Sequence, residues 1–191
     1  MNNASPDTKK RILFIREQGM METTWLAFGL GIVATIAKQK YDVKIIDNCG
    51  KYKRYTHDEF IRIVNEYDPA VIGFTMNTTN ALSTYNLIKA IKAHAVSTII
   101  AGGLHVSHMY EEALDHGVDV AIRGEAELVI MDLLDAIIAN KGVKGFCTDI
   151  QGVAYKADGQ VVCNGVCPIP DDIEYGIDFN LFNIKDFVRR E

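Results

Sequence analysis

Apolar positions along the chain fall into short runs separated by stretches of helical period, and the alternation repeats. Ile12-Leu-Phe-Ile-Arg16 is an apolar run; Glu17 to Thr24 then break all periodicity, and a small, apolar stretch from about Trp25 to Lys40 follows. That order reads as strand, loop and helix. The helix is apolar on most faces between Gly29 and Ala37, which predicts packing on a sheet, with Gly29 and Gly31 as close-packing positions. Asp42 to Asp47 reads as a second strand, closed by the polar turn Asn48-Cys49-Gly50. Thr56 with Glu59 matches a capping box, and Phe60, Ile63, Val64 and Tyr67 then mark one buried helical stripe. Ala70 to Thr75 is apolar on both faces, as a strand covered by helices above and below should be. Asn80 to His94 is the next helix and Ser97 to Ala101 the fourth strand, stopped by Gly102-Gly103. A short helix around Tyr110 to His116, a strand at Asp119 to Arg123 and a helix from Glu125 to Asn140 complete five strand-helix units.

Strands alternating with helices predict a parallel sheet joined by right-handed crossovers, with helices on both faces. The expected class is α/β: a flavodoxin-like, doubly wound, five-stranded parallel sheet in the order 2-1-3-4-5, occupying residues 1–144. Gly152-Val-Ala-Tyr-Lys156 and Val161-Val-Cys163 flank Asp158-Gly159, a two-residue turn signal, so residues 145–166 are expected to form a β-hairpin appendage. From Cys167 onward, two prolines and the loss of period suggest an extended connector over residues 167–191 that leads toward a neighbouring domain.

Of 191 residues, 48% are hydrophobic and 24% charged, with a formal net charge of −5. This is the profile of one domain in the usual range of roughly 100–200 residues. No apolar run approaches the ~18 residues of a membrane span, and Met1 to Asp7 lack the basic-then-apolar order of a signal peptide. The expected location is the cytoplasm. The acidic balance gives no whole-surface attraction to nucleic acid or anionic lipid, so neither nucleic acid nor membrane is an expected partner. Lys38, Lys40, Lys44, Lys51, Lys53 and Arg54 gather around one strand and read as a solvated rim. Cys49, Cys147, Cys163 and Cys167 are too few and too unevenly placed to staple a chain of this size and are expected to be reduced.

In an open parallel sheet the ligand binds outside the carboxyl ends of the strands, near the point where strand order reverses. Here that means the loops after strands one, three and four: Glu17 to Thr24, Thr75-Met76-Asn77-Thr78-Thr79 and Gly102-Gly103-Leu104-His105. Hydroxyls and an amide in the second loop suit a polar ligand edge. The paired glycines of the third let something bulky approach the backbone, although both patterns also serve as ordinary turns.

Gly73-Phe-Thr75 at the end of strand three, Ala101 to His105 after strand four, Asp119 to Glu127 around strand five, and the late Ile169-Pro-Asp171 stand together in a telling order. In order and spacing they resemble the cobalamin-binding domain at the amino end of B12-dependent radical S-adenosylmethionine enzymes. The likeness covers most of the chain. It implies a corrinoid on the carboxyl edge of the sheet, with its nucleotide tail inserted between strands. It puts Thr75, Met76, Asn77 and Thr78, with Gly102, Gly103, Leu104 and His105, at the tail or ring edge, and Gly124 and Glu125 at the next loop. Glu125 and Glu127 have a competing reading as first-turn carboxylates favoured by a helix dipole. The likeness implies no catalytic residue in this chain. S-adenosylmethionine and a 4Fe-4S cluster would belong to a catalytic domain beyond Glu191. That enzyme would perform methyl transfer or an oxidative ring closure such as the anaerobic cyclisation of Mg-protoporphyrin monomethyl ester.

One departure matters. The Asp-x-His-x-x-Gly signature after strand one is missing, because residues 16–24 hold no histidine. The resemblance therefore implies a cobalt whose lower face carries water, another side chain or nothing. Glu17, Gln18, Met20 and Met21 are the polar or soft side chains nearby.

Other chemistries fit less well. Gly29-Leu-Gly31-Ile-Val-Ala34 matches the dinucleotide fingerprint, with Asp47 where a ribose-binding acid would stand, but the first glycine comes too long after the strand to make the tight turn. A flavodoxin-like sensory, nucleotide or flavin module remains the alternative. Cys163-x-x-x-Cys167 starts a radical S-adenosylmethionine cluster motif, yet Pro170 replaces its third cysteine. His105, His108 and His116 lack a fourth zinc partner, and Thr75-Met76-Asn77 offers no phosphoacceptor aspartate.

Overall fold

The computed structural model describes residues 10–20, 25–140, 149–171 and 174–188. Met21, Cys147 and the junction expected near residue 144 lie outside the described residues. The strands are β1 Arg11–Arg16, β2 Asp42–Asp47, β3 Val71–Thr75, β4 Thr98–Gly102, β5 Val120–Ile122, β6 Val153–Ala157 and β7 Gln160–Cys163. The helices are α1 Phe28–Lys38, α2 His57–Tyr67, α3 Ala81–Lys92, α4 Leu104–His108, α5 Tyr110–Asp115 and α6 Ile130–Asn140.

Alternation along each central strand sends side chains into two separate cores. From β1, Leu13 and Ile15 enter one core with Phe60, Val64, Leu87, Ile88 and Ala113 of α2, α3 and α5. Ile12 and Phe14 enter the other with Leu30, Ala34, Ile130 and Leu133 of α1 and α6. A strand so buried on both faces needs helices above and below, which is the doubly wound arrangement. The order β2-β1-β3-β4-β5 is as expected and all four pairings in it are parallel.

The hairpin is no appendage. β6 pairs antiparallel with β5, matching Val120 to Tyr155 and Ile122 to Val153, so the sheet has seven strands ending β5-β6-β7. The reason is burial: Val153, Ala154 and Tyr155 are almost fully buried, and pairing covers an apolar edge that β5 would otherwise expose. Asp158 and Gly159 both take positive φ (49° and 81°), the turn geometry that matches strand twist in a two-residue hairpin.

Three boundaries differ from the sequence pattern in ways that shape the carboxyl edge. α6 starts at Ile130, so Gly124 to Glu127 form a loop, and Glu125 and Glu127 are not first-turn carboxylates. Gly124 takes φ +96° and its N–H donates to Ser107 Oγ at 3.0 Å, which holds the chain out of helix there. α1 starts at Phe28 instead of Trp25, and the segment 104–115 holds two short helices broken at Met109. The capping box of α2 is formed: Glu59 N–H donates to Thr56 Oγ1 and Thr56 N–H to Glu59 Oε2.

The segment after Cys167 is irregular apart from single turns at Phe179–Leu181 and Ile184–Asp186, and it packs back over α1. Asp178 N–H donates to Thr35 Oγ1, and a Cβ on Gly31 would stand 2.9 Å from the Phe182 ring. Gly31 is therefore a packing glycine, as its spacing suggested. Among the described residues no helix is long and apolar enough to cross a membrane.

Candidate functional site

A groove runs inward from the carboxyl edge of the sheet, between the strands and the α1/α6 layer. Phe14, Gly73, Ile100 and Ile122 form its floor, Gly29, Leu30 and Val33 of α1 with Ile130 of α6 its cover. Thr75, Gly102, Gly103 and Gly124 to Glu127 stand at its mouth. It encloses about 130 Å³. Its mouth lies at the carboxyl ends of β3, β4 and β5, the edge outside which such sheets bind ligands. A larger hollow of about 450 Å³ lies by Lys10, Arg11 and Pro69 at the amino ends of the strands, the end opposite to the one at which such sheets bind ligands.

Glycines create the groove. Gly73 stands beside Phe14 across the β1–β3 pair, and a Cβ there would come within 2.6 Å of the Phe14 ring. Gly103 takes φ +98°, and its Cβ would meet Met76 O at 2.7 Å, so the β3 and β4 loops approach backbone to backbone. Gly29 differs from its neighbour Gly31: a Cβ on it meets nothing within 4 Å, because it faces the open groove.

The loop after β1 is pinned to its neighbours by polar contacts. Arg16 grips Asp47 with two hydrogen bonds (2.7 and 2.8 Å), and Asp47 accepts also from the N–H groups of Ala27 and Cys49. Asp47 is thus spent on holding α1 to β2, which removes it as a ribose-binding acid. The buried Glu17 accepts from Asn48 Nδ2, and burial raises its pKa. Asn80 donates to Glu17 O and accepts from Asn77 N–H, while Met20 N–H donates to Thr79 O. The loops after β1 and β3 are thereby held together. The segments that follow β1, β4 and β5 carry exposed apolar side chains: Met20 (93% exposed), Trp25 (75%) and Phe28, then Leu104 (69%), then Leu128. Large apolar residues left in water along one edge mark a surface made for contact.

The structure divides the expected binding residues into three groups. Thr75, Gly102, Gly103, Gly124 and Glu125 line the groove, while Leu104, Asn77 and Thr78 are exposed on the loops above it. Met76 and His105 are not brought to it. Met76 is fully buried in the core on the α2/α3 side. His105 is buried on that side too, with Nε2 3.1 Å from Tyr85 Oη and Nδ1 3.4 Å from Thr78 Oγ1. Sequence reasoning gave no groove role to Gly29 or Phe14. The apolar and glycine-rich pattern of α1 was the available signal for Gly29.

The remaining candidates for chemistry are structural. His108 and His116 bond carbonyls of their own helices, and His116 stacks on Tyr85. Arg123 Nη1 lies 2.8 Å from Cys163 Sγ, and burial pushes the Cys167 thiol up to about 11. Cys163 and Cys167 are free thiols. Among the described residues no group of three His, Cys, Asp or Glu could hold a metal ion. The basic rim is partly paired, through Lys38 to Asp178, Lys40 to Asp135 and Lys53 to Glu59.

A doubly wound, mostly parallel sheet with a glycine-lined groove at its carboxyl edge defines a domain of the flavodoxin-like type with room for a ligand there. This chain belongs to the B12-binding domain family, whose model matches residues 20–134. It is 31% identical over 142 residues to an uncharacterized methyltransferase of Pyrococcus horikoshii, covering 73% of this chain and 30% of that one. It is 23% identical over 175 residues to the anaerobic magnesium-protoporphyrin IX monomethyl ester cyclase of Cereibacter sphaeroides, covering 89% and 28%. The chain thus spans under a third of the length of these curated relatives. Among solved structures it resembles OxsB, a cobalamin-dependent S-adenosylmethionine radical enzyme with aqua-cobalamin bound, at TM-score 0.71 and 17% identity over 84% of this chain and 23% of that one. It also resembles TsrM, a radical S-adenosylmethionine methyltransferase from Kitasatospora setae, at TM-score 0.66 and 15% identity over 82% and 30%.

Proposed function

We propose that this domain holds a corrinoid at the carboxyl edge of its sheet and presents the upper face to a radical S-adenosylmethionine domain of the same enzyme. The observation that carries the reading is the groove itself: a cleft kept open by Gly29, Gly73, Gly102 and Gly103, in a chain of the B12-binding family. Its depth and apolar floor suit a heteroaromatic nucleotide tail, and its rim of Trp25, Met20 and Leu104 suits the edge of a flat macrocycle. When bound, the corrinoid supplies the cobalt chemistry of methyl transfer or oxidative ring closure, and S-adenosylmethionine and the 4Fe-4S cluster serve in the other domain.

The chain's own residues bind, orient and exclude water. Gly102 and Gly103 let the tail pass close to the backbone of β4, Thr75 and Asn77 offer hydrogen bonds at its entry, and Gly124 and Glu125 flank the opposite side. Residues 16–24 hold no histidine and His105 is held by Tyr85 and Thr78, so the cobalt would carry water, another side chain or nothing on its lower face. Residues 1–144 carry the cofactor, the hairpin at 145–166 completes the sheet, and 167–191 lead on toward the catalytic domain. Free thiols at Cys163 and Cys167 suit a cytoplasmic setting. Family membership and the engagement of Asp47 by Arg16 favour this reading over a nucleotide- or flavin-binding module.

Titration with hydroxocobalamin, followed by its visible spectrum and by retention through a desalting column, tests the proposal. Stoichiometric retention with an altered spectrum is expected. An unperturbed spectrum and complete loss of colour on the column would overturn it.

A further inference from the structure

Glu127 is out of place in the groove wall. It lies in the loop between β5 and α6, it lines a mostly apolar cleft, and its Oε2 is sealed from solvent without a hydrogen-bond partner among the described residues. A buried carboxyl oxygen left unpaired costs stability, on the order of 1–3 kcal/mol, so its presence in a ligand cleft points to a partner supplied by the ligand. The helix-dipole role that its sequence position suggested is gone, because α6 begins three residues later, at Ile130. Among the described residues no cation is within salt-bridge distance of it.

Resting on the corrinoid reading, we infer that Glu127 reads the lower base of the nucleotide tail, donating a hydrogen bond from its carboxyl group to a ring nitrogen of the base. Entry of the tail into the groove would break the bond between that nitrogen and cobalt, with water able to take the vacated position, and would leave the nitrogen's lone pair facing a mostly apolar cleft. A carboxyl group answers it only when protonated. Burial and the neighbouring Glu125 both raise the pKa of Glu127, which favours the protonated, donating form. The class of cofactor selected is a cobamide with a nitrogenous base, over one whose base is a phenol and over cobinamide, which has no base at all.

The test measures affinity of the full chain for hydroxocobalamin, p-cresolylcobamide and cobinamide by spectral titration, in the wild type, Glu127→Leu and Glu127→Gln. Circular dichroism checks that each variant is folded. Cobalamin alone must give up a Co–N bond to free its base, a cost common to all the variants, so the ratio of cobalamin to p-cresolylcobamide affinity is the quantity compared. That ratio should be about tenfold higher in the wild type than in Glu127→Leu, the worth of one buried hydrogen bond. Glu127→Leu should bind cobinamide as the wild type does, and Glu127→Gln, which still donates through its amide, should keep most of the wild-type ratio. The same ratio in the wild type and in Glu127→Leu would overturn the inference and leave the corrinoid reading intact. Binding of none of the three would overturn the corrinoid reading itself.

Discussion

Phe14 and Gly73 lie in register on adjacent parallel strands, and the absence of a side chain on Gly73 lets the Phe14 ring lie across β3 as the floor of the groove. A methyl group at position 73 would stand 2.6 Å from Phe14 Cδ1, so the ring must move, and the open cleft is the direction free to it. Gly73→Ala should therefore cost about 1–3 kcal/mol by overpacking, less some fraction regained because alanine has lower unfolded-state entropy. Urea unfolding reads the loss. A parallel fall in cobalamin affinity would show that the displaced ring enters the groove.

Gly103 holds the β4 loop against the β3 loop with φ +98° and a backbone approach that leaves no room for Cβ. Gly103→Ala should destabilise by about 1–3 kcal/mol from backbone strain alone. Gly102 has no such strain, since its Cβ would meet Ile122 at an ordinary 3.7 Å. Gly102→Trp should consequently leave the domain folded while abolishing cobalamin retention. Circular dichroism with column retention separates the two effects, and unchanged retention would place the tail elsewhere.

The fold was legible because its determinants are local. The two-faced apolar runs at 12–15 and 70–74, the capping box at Thr56 and Glu59, and the Asp158-Gly159 turn each act within a few residues. What escaped was decided across the chain. That the hairpin joins the sheet depends on the exposed edge of β5, which no local pattern reports. That Gly29 opens a groove while Gly31 seats Phe182 depends on what lies opposite each in space, although both share one helix and one motif. His105 follows a glycine pair as a ligand-binding residue would. α4 turns it to the far side of the sheet, where Tyr85 and Thr78 take both ring nitrogens.

That placement makes His105 a packing residue. His105→Ala should lower stability by about 2 kcal/mol, by opening a buried site and leaving Tyr85 Oη without this partner. The visible spectrum of bound hydroxocobalamin should not change. A spectral shift on removing the imidazole would mean that His105 reaches cobalt.

Glu17 gives the fold a pH dependence of defined sign. Burial raises its pKa above the usual 4.5, so the folded state binds its proton more tightly than the unfolded chain does. Its contribution to stability is therefore fully present below about 4.5, falls as pH rises through the interval up to the folded pKa, and is gone above it. Glu17→Gln keeps an acceptor for Asn48 Nδ2 and removes the titration. The melting temperature of the variant relative to wild type should climb between pH 4.5 and neutrality; a constant offset would show that Glu17 titrates normally.

The groove is the proposed seat of the nucleotide tail, and a substitution at Gly29 tests this with little disturbance to the fold. An added side chain at position 29 has open space within 4 Å, and replacing glycine in a helix raises its propensity by a few tenths of a kcal/mol or more, so Gly29→Phe should fold at least as stably as wild type. The direct measurement is the dissociation constant of hydroxocobalamin for wild type and Gly29→Phe at equal thermal stability. A loss of affinity of at least about tenfold, equivalent to ~1.4 kcal/mol, is the predicted result. Undiminished affinity in a folded Gly29→Phe protein would contradict the account.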